Sequence, residues 1–276
     1  MTILQAIILA LVEGITEFLP ISSTGHMVLV SSLMGIQTGD FTKLFEVSIQ
    51  SGAILSVIVL YWKQFTEFKN IRFYLKLAVG VLPALILGKL FSDKIDELLE
   101  SPTTVAVSML AGGVVLIFMD RLFNKQTILA EPEITNKNAF FIGIWQTIAM
   151  IPGVSRSAAS ILGGMHQKLS RELAAEFSFY LAVPTMAAAT LYSIFLKKWE
   201  YGNELHRGYQ LIFQSRENSF AFIAGSLVAF IVAMVAIRFF IGYLKKHGFR
   251  IFGYYRIIAG LILLFLIQKG ILFHAN

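Results

Sequence analysis

The sequence contains no cysteine, which excludes disulfide bonds and thiolate metal sites. Charge is also scarce, because 14% of the 276 residues are charged, whereas a soluble domain carries about 25%. The hydrophobic share is high, at 56%. This composition predicts an integral membrane protein, and it argues against a nucleic-acid-binding protein even though the net charge is +6.

Six apolar stretches are long enough to cross a bilayer, since a membrane helix needs about 20 apolar residues. They cover residues 44–62, 75–91, 103–119, 176–196, 220–244 and 257–272. Two further apolar regions, at 3–34 and 139–165, are interrupted by polar residues before either could span. Each of these predicts two half-helices that enter the membrane and return to the same side. The predicted fold is therefore an all-α membrane protein with two re-entrant broken-helix hairpins and six transmembrane helices.

This order of elements occurs twice, which indicates an internal repeat. Residues 1–276 are expected to form one membrane domain, with one repeat at about 1–120 and the other at about 138–276. Local likeness supports this, since GITEFLPISSTGH in the first half is similar to GIWQTIAMIPGVSRS in the second. A hairpin returns to its own side and three spans then cross, so the second repeat is predicted to be inverted relative to the first. The hairpins would then enter from opposite faces.

The distribution of Lys and Arg predicts the orientation. The loops near 62–76, 120–138, 166–175 and 245–256 contain 13 Lys and Arg against 5 Asp and Glu. The termini and the loops near 35–43, 89–102 and 197–218 contain 8 of each kind. Basic loops stay in the cytoplasm, so the first set is predicted to be cytoplasmic and the first hairpin to enter from the outer face.

The first hairpin carries the stretch EGITEFLPISSTGH, which begins at Glu13. Glu13 and Glu17 are four residues apart and share one face of a helix. Either Ser22 or Ser23 can cap a second helix, and His26 would lie in its first turn. The stretch thus predicts a helix, a polar interruption and another helix, with polar groups converging on the interruption.

The second hairpin carries IPGVSRSAAS at 151–160, which we expect to interrupt its helix. Gly153 lets the backbone come close to a ligand, and Ser155 and Ser157 flank Arg156. Arginine is the side chain best shaped for bidentate phosphate binding. Helix N-termini at both interruptions would aim N–H groups at one point, which favours an anion.

Five charged residues fall inside segments predicted to lie in the membrane: Glu13, Glu17, Glu46, Glu176 and Arg156. A charge at that depth costs roughly 3 kcal/mol on insertion scales, so these groups are expected to pair or to bind something polar. Carboxylates are in excess, which suits either a divalent cation, Mg²⁺ or Ca²⁺, or partial protonation of the carboxylates. Together with the serines and histidine, these are the parts of a phosphoryl-transfer site.

Structural interpretations are available for the same residues. Glu46 and Glu176, at matching repeat positions, could accept backbone N–H groups freed at the interruptions. Glu13 and Glu17 could form an ion pair with Arg156 that only locks the repeats together.

His26 and the serines also have structural alternatives. By itself His26 is an interior histidine, but beside serines and carboxylates it becomes a candidate for proton transfer or phosphate contact. One of Ser22 and Ser23 can cap a helix while the other reacts.

Both motifs resemble those of the undecaprenyl-diphosphate phosphatase family, also called the bacitracin-resistance (BacA/UppP) family. The family pattern EGxTEFLPxSSTGH falls on residues 13–26 and PGxSRS falls on 152–157, with no departure in either. The resemblance implies hydrolysis of undecaprenyl diphosphate to undecaprenyl phosphate and inorganic phosphate, which recycles the lipid carrier of cell-wall synthesis and confers bacitracin resistance. It also implies a divalent cation, the bacterial inner membrane and reaction on the periplasmic side.

Residues and resemblance together lead to a site hypothesis. The expected catalytic residues are Glu17, Ser23, His26 and Arg156. The expected phosphate-binding residues are Ser22, Thr24, Gly153, Ser155, Arg156 and Ser157. Glu13 and Glu17 are expected to help bind the cation, and Glu46 and Glu176 to be structural or secondary.

Two mechanisms stay open. Ser23 is the candidate nucleophile, with Glu17 or His26 as its base and the other protonating the leaving oxygen or assisting water. Alternatively, His26 or Glu17 activates water directly and no phosphoserine forms.

The expected partners are a polyprenyl diphosphate lipid and the bilayer, with no nucleic acid and with a homodimer left open. A lipid-phosphate transporter is the competing function, because inverted repeats with broken helices at the midplane are typical of transporters. An enzyme releases inorganic phosphate in detergent, where no second compartment exists, whereas a pure transporter does not.

Overall fold

The structure, a computed structural model, describes residues 1–99, 101–201 and 204–272. Its helices are α1 (Ile3–Thr16), α2 (Ser23–Leu33), α3 (Asp40–Ser48), α4 (Gln50–Leu60), α5 (Trp62–Thr66), α6 (Ile71–Leu90), α7 (Ser92–Leu99), α8 (Pro102–Leu122), α9 (Asn136–Thr147), α10 (Arg156–His166), α11 (Arg171–Leu191), α12 (Gly208–Phe213), α13 (Arg216–Leu244) and α14 (Arg250–Gln268). Short 3₁₀ turns lie at Glu131–Glu133 and Ile148–Met150, and a π-helical turn at Tyr192–Leu196 extends α11. Strands β1 (Lys198–Tyr201) and β2 (Glu204–Arg207) form an antiparallel hairpin.

Six helical stretches in the described part of the chain are long and apolar enough to cross a membrane. They are Asp40–Leu60, Ile71–Leu90, Pro102–Leu122, Arg171–Leu196, Arg216–Leu244 and Arg250–Gln268. The prediction of an all-α membrane protein with six spans is confirmed, and the chain is a multi-pass membrane protein. The β1–β2 hairpin, which lies between the fourth and fifth spans, was not predicted.

The last span differs most from its prediction at 257–272. It is α14, which begins at Arg250, and Arg256 lies inside it rather than in the preceding loop. A prediction from hydropathy ends a span at a charged residue. In the structure, however, Arg256 is fully buried among protein groups and continues the helix. Arg256 therefore has to be removed from the loop count, which reduces the basic excess of the predicted cytoplasmic side by one residue.

Each half of the chain begins with a broken hairpin. We call residues 17–22, between α1 and α2, the first break, and residues 148–155, between α9 and α10, the second break. The second break ends earlier than the predicted interruption at 151–160, because the Ser155 side chain caps a helix that already begins at Arg156.

The two breaks end in the same kind of turn. Ser22 has a φ of 72° and its hydroxyl accepts a hydrogen bond from the amide of Gly25. Ser155 has a φ of 75° and its hydroxyl accepts from the amide of Ala158. A positive φ is uncommon for a residue other than glycine. Both second half-helices therefore start from a strained serine cap, which points their free N–H groups back at the break.

Contacts between elements follow the repeated order. Helix α1 packs against α13, and α9, its counterpart, packs against α6. Helices α6 and α13 hold the same place in the two halves. Helices α8 and α14 also hold matching places and pack together at Gly113 and Gly253. An added Cβ at either glycine would lie within 2.8 Å of the other's carbonyl oxygen. The first helix of each hairpin thus packs against the second span of the other half, and the third spans of the two halves pack together. This pattern fits the predicted repeat, and the inversion of the repeat stays a prediction.

The first break packs directly against the start of α10, the helix that follows the second break. The Ser157 hydroxyl at the start of α10 donates a 2.8 Å hydrogen bond to the carbonyl of Phe18 in the first break. The Phe18 ring is fully buried and lies edge-on to Phe179 of α11, with 5.3 Å between ring centroids. The hairpins thus meet inside the bundle, and their polar residues surround one space.

Candidate functional site

A cavity of about 160 Å³ lies between the two breaks. One wall comes from the two hairpins, including the 3₁₀ turn that follows α9, and the other comes from α4 and α11. The residues lining it are Glu17, Ser22, Ser23, Thr24, Gln50, Ala149, Gly153, Ser155, Arg156, Thr185, Met186 and Ala189. The structure therefore brings together seven of the residues that the sequence assigned to catalysis or phosphate binding.

Ser23 and Glu17 form the shortest polar contact at this cavity. Glu17 follows the last residue of α1 and still bonds its amide to the carbonyl of Glu13, so its side chain projects across the break. Ser23 is the first residue of α2, and its hydroxyl donates to Glu17 Oε2 at 2.5 Å. A hydroxyl held by a carboxylate is the arrangement that activates a nucleophile, because the carboxylate can take the proton as the oxygen attacks.

The neighbouring serine, Ser22, has the other role. Its hydroxyl caps α2 and its backbone carries the positive φ. One serine of the pair therefore caps the helix while the other is free to bond with Glu17. The sequence analysis suggested these same two roles, one serine as a helix cap and the other as a reactive group.

Arg156, the first residue of α10, reaches the same carboxylate from the second half of the chain. Its Nη2 lies 2.7 Å from Glu17 Oε1, and its Nη1 donates to the carbonyl of Ser178 at 3.1 Å. The Nε group has no partner among the described residues. Of the ion pair suggested between Arg156 and both carboxylates, the contact with Glu17 is thus present, and Glu13 forms no ion pair with Arg156 among the described residues. Arg156 also lines the cavity, so the same guanidinium can face an incoming phosphate.

Replacing Arg156 with Lys separates its charge from its shape. Lysine can keep one ionic contact with Glu17, but it cannot also reach Ser178 or grip a phosphate with two parallel N–H groups. Losing one donor aimed at developing charge commonly costs about 100-fold in turnover. We expect Arg156→Lys to be stable and monodisperse, with phosphate release reduced by about two orders of magnitude. A variant within a few-fold of the parent would return Arg156 to a purely structural role.

Glu13 lies behind Glu17, one turn earlier in α1. It is 1% exposed, and its Oε1 has no hydrogen-bond partner among the described residues. Within that part of the chain, no three His, Asp or Glu side chains form a metal-binding group. Magnesium in phosphoryl-transfer sites is usually held by one or two carboxylates together with substrate phosphates and water. Glu17 and Glu13 supply carboxylates of that kind, but Glu13 does not line the cavity and the two Glu17 oxygens already contact Ser23 and Arg156.

His26 points away from the cavity. Its Nδ1 lies 2.7 Å from the carbonyl of Ser22, and its Nε2 lies 2.6 Å from the hydroxyl of Tyr255 on α14. A carbonyl can only accept, so Nδ1 carries a proton, and in the neutral ring Nε2 accepts from the tyrosine hydroxyl. With both nitrogens engaged, this geometry favours Glu17 over His26 as the base for Ser23.

Three further expected residues lie outside the cavity lining. Ser157 is fully buried and bonds to the first break, so its hydroxyl joins the hairpins and does not face the cavity. Glu46 and Glu176 also lie away from the cavity. No hydrogen bond between either carboxylate and a backbone amide of a break is present in the described residues, so the geometry does not support the capping role proposed for them.

Gly153 lines the cavity, but its small size serves a protein contact. Its φ is 91°, and a Cβ added there would lie 2.3 Å from the carbonyl oxygen of Val105 on α8. The sequence interpretation was that this glycine brings the backbone close to a ligand. In the structure, the close approach is between the second break and α8.

Sequence reasoning missed Arg256, Gln50 and Thr185. Gln50 and Thr185 are polar residues on spans that line the cavity. Their presence inside apolar runs was a usable signal. Arg256 lies beneath both breaks, and the apolar residues just before it, such as Ile251 and Phe252, indicated that the helix could begin earlier.

The chain is similar to known proteins over nearly its whole length. A family model described as bacitracin resistance protein BacA matches residues 6–262. The chain is 57% identical over 264 residues to the undecaprenyl-diphosphatase of Flavobacterium psychrophilum, covering 96% of this chain and 95% of that protein. It is 50% identical over 272 residues to the undecaprenyl-diphosphatase of Bdellovibrio bacteriovorus, covering 98% of each. It is 42% identical over 264 residues to the one from Aquifex aeolicus, covering 95% of this chain and 97% of that protein.

Proposed function

This chain belongs to the bacitracin resistance protein BacA family, and we propose that it hydrolyses undecaprenyl diphosphate to undecaprenyl phosphate and inorganic phosphate. The observation that carries the proposal is the contact between Ser23 and Glu17 in a cavity that Arg156 also lines. A nucleophile, a base and a cation are thereby within reach of one phosphate. The reaction would recycle the lipid carrier of cell-wall synthesis and so confer resistance to bacitracin.

In the first step we propose, Ser23 Oγ attacks the terminal phosphorus while its proton passes to Glu17 Oε2. The bond between that phosphorus and the bridging oxygen breaks, and Glu17 returns the proton to the departing undecaprenyl phosphate. Arg156 stabilises the charge on the transferring phosphoryl group, as guanidinium groups do in phosphoryl transfer. This step leaves a phosphoserine at Ser23.

In the second step, water attacks the phosphoserine. Glu17 takes a proton from the water and returns it to Ser23 Oγ as inorganic phosphate forms, so the enzyme regains its starting state. Ser22, Thr24 and Ser155 line the cavity around this reaction. We propose that they and the N-termini of α2 and α10 contact the phosphate oxygens, because helix N-termini favour anions.

We propose a divalent cation, Mg²⁺ or Ca²⁺, as a cofactor held by Glu17 with help from Glu13. The support is the unpartnered Oε1 of Glu13 and the oxygen chemistry of the pair. When bound, such a cation neutralises negative charge on the diphosphate. Glu17 and Glu13 would hold it.

The proposed location is the bacterial inner membrane, with the cavity open to the periplasmic side and the polyprenyl tail in the lipid. The family membership and the six spans support a bilayer enzyme that acts on a lipid. The excess of Lys and Arg in the loops predicted to be cytoplasmic supports the orientation. A homodimer stays a prediction.

Single cysteines introduced into this cysteine-free chain test the orientation without background labelling. Cysteines at positions 69 and 247 are expected to react with an impermeant maleimide only from the cytoplasm. Cysteines at positions 97 and 204 are expected to react only from outside. Labelling of 69 and 97 from the same side would contradict both the orientation and the span count between them.

Phosphate release by the purified protein in detergent tests the function itself. An enzyme should convert undecaprenyl diphosphate to the monophosphate in the presence of Mg²⁺ or Ca²⁺, with one inorganic phosphate formed per molecule. Repeating the assay after chelation tests the cofactor proposal. Absence of turnover with either cation would overturn the phosphatase proposal, while the transport alternative has no support from the names of the relatives.

A further inference from the structure

Arg256 of α14 is fully buried, and its hydrogen-bond partners in the described part of the chain are all backbone carbonyls. A guanidinium group has five N–H donors. In this structure Arg256 makes five hydrogen bonds: Nε to Met109 at 3.2 Å, Nη1 to Pro20 at 3.3 Å and Val154 at 2.8 Å, and Nη2 to Ser108 at 3.2 Å and Gly153 at 2.8 Å. No carboxylate is among these partners, so its position is determined by the backbone it binds.

These carbonyls belong to the parts of the protein that build the site. Pro20 lies in the first break, Gly153 and Val154 lie in the second break, and the remaining two acceptors lie in α8. We propose that Arg256 is a positioning residue of the phosphatase site, which holds both breaks in the geometry that aims their donors into the cavity. This inference rests on the proposed function. Arg256 itself does not line the cavity.

Backbone strain at the breaks explains why such a residue is needed. Ser22 and Ser155 both have positive φ values, and each follows closely after a carbonyl that Arg256 binds. Strained backbone persists only where surrounding contacts over-determine it. The guanidinium provides such contacts for both turns at once, because one rigid group fixes a carbonyl in each.

The peptide bond between Val154 and Ser155 shows how the contacts of Arg256 can affect substrate binding. In a trans peptide, the N–H points opposite to the C=O of the preceding residue. The Val154 carbonyl points at Arg256 at 2.8 Å, so the amide of Ser155 points away from Arg256. Ser155 lines the cavity, and its amide has no hydrogen-bond partner among the described residues. That amide is therefore available as a donor to a phosphate oxygen.

A glycine in α8 makes room for the guanidinium. A Cβ added at Gly112 would lie 2.3 Å from Nη2 and 2.7 Å from Cζ of Arg256. Any side chain at this position would displace the guanidinium from its carbonyls. Gly112→Ala is thus a second, milder way to disturb Arg256 while keeping its charge.

Arg256→Lys tests the proposal through the inhibition constant of inorganic phosphate, the reaction product. Lysine keeps the charge but cannot satisfy five carbonyls with one ammonium group. A lost or misdirected donor to an anion weakens binding by about tenfold or more. We expect the inhibition constant to rise by about tenfold and turnover to fall. The inhibition constant reports only on molecules that turn over, so partial unfolding alone would leave it unchanged.

Lys76→Met is the matched control. Lys76 is a buried cation of α6, 5% exposed, and its ammonium lies 2.7 Å from the carboxylate of Glu131, away from both breaks. Its loss should lower the melting temperature because it leaves a buried carboxylate unpaired. The inhibition constant for phosphate should stay within twofold of the parent.

Gly112→Ala keeps the test decisive if Arg256→Lys does not fold. It should raise the phosphate inhibition constant in the same direction, with Arg256 still present. An active parent together with parent-like inhibition constants in the variants that fold would overturn the positioning role. A parent that releases no phosphate would instead overturn the proposed function.

Discussion

Glu17→Gln is expected to lower phosphate release by about a thousandfold while the protein remains folded. A glutamine oxygen can still accept the hydrogen bond from the Ser23 hydroxyl, but an amide cannot take the proton when that oxygen attacks. General base catalysis typically contributes between 10² and 10⁴ in rate. The substitution also leaves the Arg156 guanidinium without its carboxylate, so stability has to be measured beside activity.

Glu131→Gln is the matched control for this experiment. Glu131 is also a largely buried carboxylate paired with a cation, since its Oε1 lies 2.7 Å from Lys76 Nζ. The same chemical change there leaves a buried cation unpaired at a place that does not line the cavity. We expect it to cost stability and to leave turnover per folded molecule within a few-fold of the parent.

Initial rates at saturating Mg²⁺, elution profiles and melting temperatures should be compared for these two variants and the parent. Equal loss of activity in both would mean that removing any buried carboxylate damages the fold. Retention of most phosphate release in Glu17→Gln would remove Glu17 from the proton-transfer role.

The spans and the two hairpins were predictable because the bilayer restricts the choices. Backbone polar groups in lipid must be satisfied internally, so long apolar runs form helices, and polar interruptions survive only where protein surrounds them. Ser22 and Ser23 are an example of what could be predicted from this restriction. Their spacing after Glu17 was enough to predict a capped second helix beside a carboxylate.

Arg256 and His26 show where that reasoning ends. Arg256 was placed in a loop because a charge normally ends an apolar run, and its acceptors are carbonyls distant in sequence. His26 was grouped with Ser23 because they are neighbours in the sequence. Its ring instead bonds to Tyr255, which lies 229 residues away. Partners of this kind depend on how the two halves of the chain pack together, and no local pattern encodes them.

Ser23→Ala is expected to abolish phosphate release, with a loss of at least about a thousandfold. Removal of a nucleophile in a hydrolase that uses a covalent intermediate costs this much or more. The alanine should be well tolerated structurally, because Ser22 provides the cap of α2 and, among the described residues, the Ser23 hydroxyl bonds only to Glu17. Ser56→Ala is a suitable control, since it removes a buried hydroxyl that donates to a carbonyl of its own helix.

Rapid quenching of the parent during turnover, followed by mass spectrometry, distinguishes the two mechanisms. Attack by Ser23 should leave phosphate on the peptide that contains residue 23, and Ser23→Ala should lose this signal together with its activity. Direct attack by water, activated by Glu17, would give no phosphopeptide and would leave substantial turnover in the alanine variant. The 2.5 Å contact between Ser23 Oγ and Glu17 Oε2 favours the first result, because a base bonded to the serine is placed to activate that oxygen.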